Sequence, residues 1–355
     1  MRWLMLTRLL DPADDIVGFA VRWVAELAAR VDHLDVICQE DRGAALPANV
    51  TVYRMGKEVG AGRLSQAVRL TAHLRRLVPQ ADGVFCHMIP RYVLFAAPWA
   101  RLYGKPLLHW YVHPQVSPEL RLARALATHI LTAAPGSYPL PSEKLHVMGH
   151  GIEADLFPAA DGEDTPPQIV MVGRLAHIKR QDWLLRAASR AMAQGNGAPF
   201  RVVIVGGPVE REPDYPTHLR EIAAGLDPAP DVTFTGPLPR AQMAAIVRRS
   251  TLAVNLTLPG AFDKSALETM IMGKPTLVTT PDFLPLLGED ADRLYLPTDA
   301  DDAALAGRLV QLLALAPQER TAMGQALRER ALAAHSLDGL MDRIAALMRE
   351  VAAHG

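Results

Sequence analysis

Short β-rich runs separated by longer stretches of helical period recur down this chain, and that alternation restricts its fold more than any other feature. Such a pattern calls for parallel strands with helices on both faces of a sheet. In the first half the strand runs fall at 3–7, 33–39, 50–53, 83–87 and 107–111, with later ones near 130–132 and 145–147; helical segments fall at 18–30 and 63–77. A stretch at 157–168, rich in proline, glycine and acids, interrupts the rhythm. It then restarts, with strands at 169–172, 201–205, 232–235, 252–256 and 276–279 and helices at 180–193, 218–224, 240–248 and 265–272. Helices at 301–313, 317–334 and 337–352 close the chain. The expectation is an α/β protein with two doubly wound, Rossmann-like parallel-sheet domains at 1–157 and 169–335, joined by a linker at 158–168. A terminal helix in 336–355 is expected to pack back toward the first domain.

Composition supports two such domains and removes other classes. The 355 residues exceed one ordinary domain, and 50% hydrophobic with 21% charged residues provides a large core. With 37 Lys and Arg against 38 Asp and Glu, no global field recruits nucleic acid. The charge is uneven: residues 1–160 carry 17 basic and 14 acidic groups (+3), the remainder 20 against 24 (−4). Cys38 and Cys86 are too few for a disulfide framework or a four-Cys zinc site, and read as buried thiols of a reducing compartment. The apolar run at the start is too short for a secretory signal, and no stretch of about 20 uncharged apolar residues could span a bilayer. A cytoplasmic protein is expected. Segment 63–77 reads as a basic amphipathic helix with apolar residues at 64, 67, 68, 74 and 77, the stripe continued by Thr71. It suits an outer helix of the sheet, or alternatively a peripheral contact with the inner membrane face.

Ligands of doubly wound sheets bind beyond the carboxyl ends of the strands. Neither half carries G-x-G-x-x-G after its first strand, which disfavours a dinucleotide oxidoreductase. In the run from Val170 to Arg180 a strand ends at Gly173, and Arg174 and Lys179 follow where a helix opens. Backbone N–H groups, a planar guanidinium fork and an ammonium point charge together suit a diphosphate; a solvated cationic loop is the plain alternative. A second turn, Pro259, Gly260, Ala261, Phe262, Asp263 and Lys264, enters a helix containing Leu267 and Glu268 and ended by Gly273 and Pro275. Its N–H groups suit phosphate or sugar oxygens, and an ionised Glu268 can accept two hydrogen bonds from a ribose diol; a capping or surface glutamate is the alternative.

Taken in order, V-G-R-L-x3-K, V-x-I-V-G-G ending at Gly207, V-x-F-x-G ending at Gly236, and the turn reaching L-E-x-M-x-x-G-K-P resemble the carboxyl half of glycosyltransferase family 4. The resemblance covers about residues 168–280 and implies the GT-B fold, with two Rossmann-like domains facing an interdomain cleft. It implies that Arg174 and Lys179 bind the donor diphosphate and Glu268 the nucleotide ribose, with Gly173, Gly207, Gly236, Phe262, Asp263, Lys264 and Leu267 at the donor site. The family's first motif glutamate would fall at Gly260; either Asp263 or Lys264 substitutes, which is the favoured reading, or the donor sugar is contacted differently, or activity is weak. The run ending His109-Trp110-Tyr111-Val112-His113 resembles the family strand whose final histidine orients sugar or acceptor, which favours His113 over mid-strand His109. Gly18 marks the first loop, where the family's paired glycines are missing.

The resemblance implies a retaining glycosyltransferase that moves a sugar from a nucleoside diphosphate donor to a hydroxyl of a sugar, lipid-linked or small-molecule acceptor. No cofactor is expected and no metal: the D-x-D pairs at 290–292 and 299–301 lie in late polar loops, and Arg174 and Lys179 supply the charge. A nucleotide-sugar epimerase or hydrolase, and a nucleotide-sugar binder without turnover, are the competing readings.

Overall fold

The computed structural model describes residues 1–11, 19–194, 199–258 and 262–353. The chain divides into two compact units, Met1–Gly151 with Leu337–Gly355, and Ile152–Ser336. The first unit runs β1 (Arg2–Leu10), α1 (Phe19–Ala28), β2 (His33–Asp41), β3 (Val50–Arg54), α2 (Arg63–Leu77), β4 (Gly83–His87), α3 (Pro90–Leu102), β5 (Leu107–Trp110), α4 (Pro118–Leu126), β6 (His129–Thr132) and β7 (Leu145–Val147). All seven strands pair in parallel in the order β3-β2-β1-β4-β5-β6-β7. Residues Trp3 to Leu6 of β1 are fully buried, because a central parallel strand is covered on both faces and so reads as an unbroken apolar run. At Gly83 a Cβ would stand 2.4 Å from the Trp3 ring, so only glycine lets β4 begin beside that indole.

The two faces of this sheet carry separate cores. Trp23, Val24 and Leu27 of α1 cover one; Leu70, Leu74, Tyr92, Val93 and Leu120 of α2, α3 and α4 cover the other. The inward face of α2 differs from the expected stripe. Leu70, Leu74 and Leu77 face the sheet, whereas Leu64 is 80% exposed and Val68 62%. At about 100° per residue, positions 64 and 68 lie roughly 120–160° around the axis from Leu70, too far to share its face. Cys38 and Cys86 are both buried thiols, and burial pushes the Cys38 thiol up to about 12.

The second unit runs β8 (Gln168–Val172), α5 (Gln181–Gln194), β9 (Arg201–Val205), α6 (Tyr215–Gly225), β10 (Asp231–Gly236), α7 (Arg240–Arg249), β11 (Leu252–Asn255), α8 (Lys264–Ile271), β12 (Thr276–Val278), α9 (Leu284–Leu287), α10 (Ala291–Leu294), α11 (Asp302–Ala314) and α12 (Pro317–His335). Its five strands are again all parallel, in the order β10-β9-β8-β11-β12. Successive strands leave β8 in opposite directions, so the chain reverses between β8 and β11. The last helix, α13 (Leu337–Ala353), belongs to the first unit: Leu340, Met341 and Ile344 join the Trp23 face, and Arg30 donates to Asp342 at 2.7 Å.

Division between the units falls before Ile152, earlier than position 157. Ile152 donates its N–H to His335 O (2.8 Å) and Phe157 is buried in the second unit's core. The segment expected as a linker is tied down along its length, for its acids find cations within the same unit. Arg248 meets Asp161 and Arg249 meets Asp164, each at 2.6 Å; Arg320 meets Glu163 at 2.6 Å; and Lys274 donates to Gly162 O at 3.0 Å. Of the D-x-D residues, Asp301 caps α11 by accepting from Ala304 N at 2.8 Å.

One close approach fixes α12 against the end of α8. A Cβ on Gly324 would sit 1.9 Å from Gly273 O. Helix propensity alone would make Gly324→Ala stabilising by about 1 kcal/mol, but the contact with backbone requires α12 to move, at roughly 1–3 kcal/mol or more. Gly324→Ala should therefore lower the melting temperature of the chain in calorimetry; an unchanged or higher value would show that α12 is not held this closely.

Candidate active site

Three neighbouring strands of the second unit end in glycines whose φ values other residues rarely adopt. These are Gly173 after β8 (154°), Gly206 after β9 (150°) and Gly236 at the end of β10 (71°). The conformations let the loops interlock: Gly173 N donates to Val205 O at 2.9 Å, Gly206 N to Gly236 O at 3.1 Å, and Leu175 N to Gly207 O at 2.8 Å. Gly206 admits no substitute, since a Cβ there would lie 2.0 Å from Gly173 O. Gly207 lies against the Pro237 ring, within 3.3 Å of a Cβ position.

The loop that follows Gly173 is stapled from both sides. Buried Gln181 donates to Arg174 O at 2.9 Å, and the Glu212 carboxylate accepts from His177 N at 2.7 Å while contacting its ring Nδ1 at 2.7 Å. A short 3-10 turn, His177–Lys179, precedes α5, so the helix opens at Gln181, one residue later than expected. Arg180 joins the turn to the helix at φ 58°, a conformation costly for a residue with a Cβ, and its guanidinium lies 3.8 Å over the Trp183 ring. Arg174 is exposed, and among the described residues its guanidinium makes no hydrogen bond or ion pair. Lys179 runs back across Gly173, with Cε 3.6 Å from a Cβ position there.

Lys179 ends on Asp263, with which it forms an ion pair largely shielded from water. Asp263 is the most heavily engaged side chain of the site. It accepts from Asn255 Nδ2 (2.7 Å), Thr257 Oγ1 (2.9 Å) and Lys179 on one oxygen, and from Ser265 N (3.2 Å) on the other, capping α8. Burial alone would raise its pKa, but Lys179, Asn255 and Thr257 outweigh that and hold it below the usual carboxylate value. The donors occupy Asp263 from several directions, so its role is to hold Lys179 and the helix entry.

Glu268 lies one turn further along α8, half-buried, and its carboxylate has no hydrogen-bond donor among the described residues. Loss of solvent pushes it up to about 7, against the pull of Arg240 and Lys264 and with the charge of Asp263 adding to the rise. Lys264 is exposed at the start of α8. Two residues expected at the donor site turn inward instead. Leu267 is fully buried in the core, and partly buried Phe262 stacks on Phe283 (4.3 Å) and His335 (5.3 Å). An apolar side chain at a helix entry gains more from the core than from water. Gly18, Gly260 and Ala261 lie outside the described residues.

Sequence reasoning missed Asn255, Thr257 and Arg240. Asn255 carried a signal, an amide ending an otherwise apolar strand, and it is 4% exposed. Arg240 carried none, since only the fold brings the first turn of α7 within electrostatic reach of Glu268. In the first unit His113 stands exposed just beyond β5, and its Nδ1 accepts from Gln115 N at 3.1 Å. In the neutral ring this leaves the proton on Nε2, a donor facing outward. His109 is fully buried, and burial lowers its pKa to about 3, as suits a packed imidazole.

Breaking one partner of a shielded ion pair costs on the order of 3 kcal/mol, or roughly 6–12 °C for a unit of this size. Asp263→Asn should lower the melting temperature by about that amount, and Thr257→Val, which leaves the ion pair intact, by less. Equal melting curves for Asp263→Asn and wild type would show that the knot carries no stability.

Residues 166–315 match the family Glycosyl transferases group 1. Over 187 residues the chain is 28% identical to D-inositol 3-phosphate glycosyltransferase of Acidothermus cellulolyticus, a match covering 50% of this chain and 42% of the relative. It is 28% identical to the MMP alpha-(1->4)-mannosyltransferase of Mycolicibacterium hassiacum over 66% of this chain and 56% of the relative. The chain thus spans about half the length of the curated relatives it matches. Among solved structures, Anabaena HepE in complex with UDP and glucose superposes with a TM-score of 0.67 at 16% identity, over 99% of this chain and 100% of that one. The two parallel-sheet units are those of the GT-B fold, and residues 166–315, within the second of them, match the family Glycosyl transferases group 1.

Proposed function

We propose that this chain is a retaining glycosyltransferase that moves a sugar from a nucleoside diphosphate donor to an acceptor hydroxyl without a metal ion. The observation that carries the reading is the arrangement at the chain reversal between β8 and β11. There the Gly173 loop brings Arg174 and Lys179, and α8, after the adjacent strand, brings Glu268. Ligands of such sheets bind at this reversal, beyond the carboxyl ends of the strands. HepE, which shares the fold, holds UDP and glucose.

In this reading negative charge develops on the leaving diphosphate as the sugar–oxygen bond breaks. Arg174 offers a planar pair of donors and Lys179 a point charge that Asp263 holds in place before the reaction, so little reorganisation of Lys179 is needed as charge develops. Asp263 fixes the Lys179 ammonium while the diphosphate meets its remaining protons. Glu268, when ionised, accepts from the ribose diol. Configuration is kept because the acceptor attacks from the face the diphosphate leaves, the departing phosphate taking the acceptor's proton. His113 orients sugar or acceptor oxygen through its Nε2–H. Peripheral contact with an anionic lipid surface belongs to the same reading. Its support is α2, which presents Leu64 and Val68 to solvent beside Arg63 and Arg69 and contains no acid. No helix among the described residues is long and apolar enough to cross a membrane.

Lys179→Ala and Arg174→Ala should each lower transfer by roughly 10²-fold or more, about 2.8 kcal/mol at 1.4 kcal/mol per tenfold, assayed as nucleoside diphosphate release across a panel of donors. Rates near wild type would remove both from the mechanism. Donor epimerised or hydrolysed without acceptor at the transfer rate would favour an epimerase or hydrolase, and diphosphate binding without turnover a binding protein. The raised Glu268 pKa gives a second test with a defined sign. Below about 7 the carboxyl is protonated and offers the ribose one acceptor fewer; above it both oxygens accept. Donor affinity should therefore rise by roughly tenfold from pH 6 to pH 8, and Glu268→Gln should bind weakly and without this dependence. A wild-type profile as flat as that of the variant would exclude Glu268 from the diol.

A further inference from the structure

At the amino end of the second unit's sheet, where Pro167 leads into β8 and Pro275 into β12, a cavity of about 620 Å³ opens. It lies at the opposite end of the strands from Gly173 and Asp263. The acidic segment 160–165, the turn Gly273–Pro275 and the start of α12 form its wall. Lys274 belongs to that wall and is 3% exposed. Its ammonium has three protons to place, and its acceptor is Gly162 O at 3.0 Å; among the described residues no carboxylate stands within ion-pair distance of it. Burial lowers its pKa to about 8, against the pull of Glu163, Asp161 and Asp164. A buried ammonium with protons left over remains unfavourable until acceptors meet them.

The carboxylates of the wall are already matched. Asp161 pairs with Arg248, Glu163 with Arg320 and Asp164 with Arg249, each at 2.6 Å. Arg320 is taken up further by Leu313 O and Leu315 O. Three acids against these three arginines and Lys274 leave one positive charge, and it resides on Lys274. The positive end of α12 stands at the same wall, for the helix opens at Pro317 behind Ala316, which offers no side-chain cap. One ammonium with two protons to place suits a singly charged anion. A doubly charged phosphate monoester would meet three carboxylates and no second unmatched cation. The remaining oxygens of Asp161 and Asp164 suit hydroxyl donors.

We propose that this cavity binds a small hydroxylated carboxylate, with its anionic group on Lys274 and its hydroxyls on Asp161 and Asp164. Calorimetry on the full chain compares glycerate with glycerol, gluconate with sorbitol, and glucose 6-phosphate with glucose. At least one carboxylate should bind ten times more tightly at pH 7 than its neutral counterpart. That preference should vanish in Lys274→Met and persist in Lys179→Ala, which separates this cavity from the cationic loop after β8. Wild type alone gives a second readout. Lys274 is charged below about 8 and neutral above it, while the groups facing it are carboxylates and guanidiniums, which do not ordinarily titrate between pH 7 and 9. Carboxylate affinity should therefore fall roughly tenfold from pH 7 to pH 9, with protons taken up on binding at pH 8.5; should Lys274→Met not fold, this profile decides. Equal binding of carboxylates and neutral counterparts, no binding of any, a preference that survives Lys274→Met or is lost in Lys179→Ala, or a flat pH profile would overturn the proposal. A phosphate preference that vanishes in Lys274→Met would overturn the singly charged ligand.

Discussion

The second unit depends on one buried carboxylate. Asp263 gathers the ammonium of Lys179, the amide of Asn255, the hydroxyl of Thr257 and the first free N–H of α8. These groups come from three elements that the pairing of β8 with β11 brings side by side: the loop after β8, the end of β11 and the start of α8. A carboxylate moved out of water loses several kcal/mol of solvation unless charge and hydrogen bonds replace it. Here the replacement is complete enough to leave Asp263 more acidic than in water. Its ionised state therefore sets the position of the Lys179 ammonium.

Glu268 shows the opposite outcome only one helical turn away. It too is shielded from water, yet no donor among the described residues reaches it, and the distant attraction of Arg240 and Lys264 does not compensate. One carboxylate is thus neutralised within the protein and the other is left with unmet demand. Paired environments that push two acids apart in this way mark sites where ligand contacts complete what the fold leaves open. The division of labour between Asp263 and Glu268 follows from which of them the loops after β8 and β11 enclose.

The first unit spends its charges differently. Arginines along its sheet are matched by Asp35, Glu40 and Asp41, and its apolar surface is divided between two cores on either face of β1. Arg8 and the strained turn at Met88 depart from this economy at the one place where neighbouring strands diverge. At that turn Met88 N donates to Trp110 O, and in the second unit the positive φ of Gly173 and Gly206 secures the interlocked loops.

Much of the fold was legible in the order of residues because strand and helix signals have different periods, 2 and 3.6, and a parallel sheet repeats them. The strands after 168 and the closing helices were placed within a few residues. The glycine, arginine and lysine after β8 and the glutamate on α8 were legible too, since strand-end loops announce themselves by small and charged residues. What periodicity could not decide was partnership. Nothing local distinguishes an aspartate that touches a ligand from one that holds a lysine, or places Arg240 near Glu268 from 28 positions upstream. Nor does it show that Phe262 packs on Phe283 and His335, or that Leu64 faces water while Leu70 faces the sheet. By itself the sequence determined the two sheets, the strand-end loops and the kinds of charge they carry. Only the tertiary structure decided which charges meet, because burial and hydrogen bonding act across distances in the chain that no local pattern records.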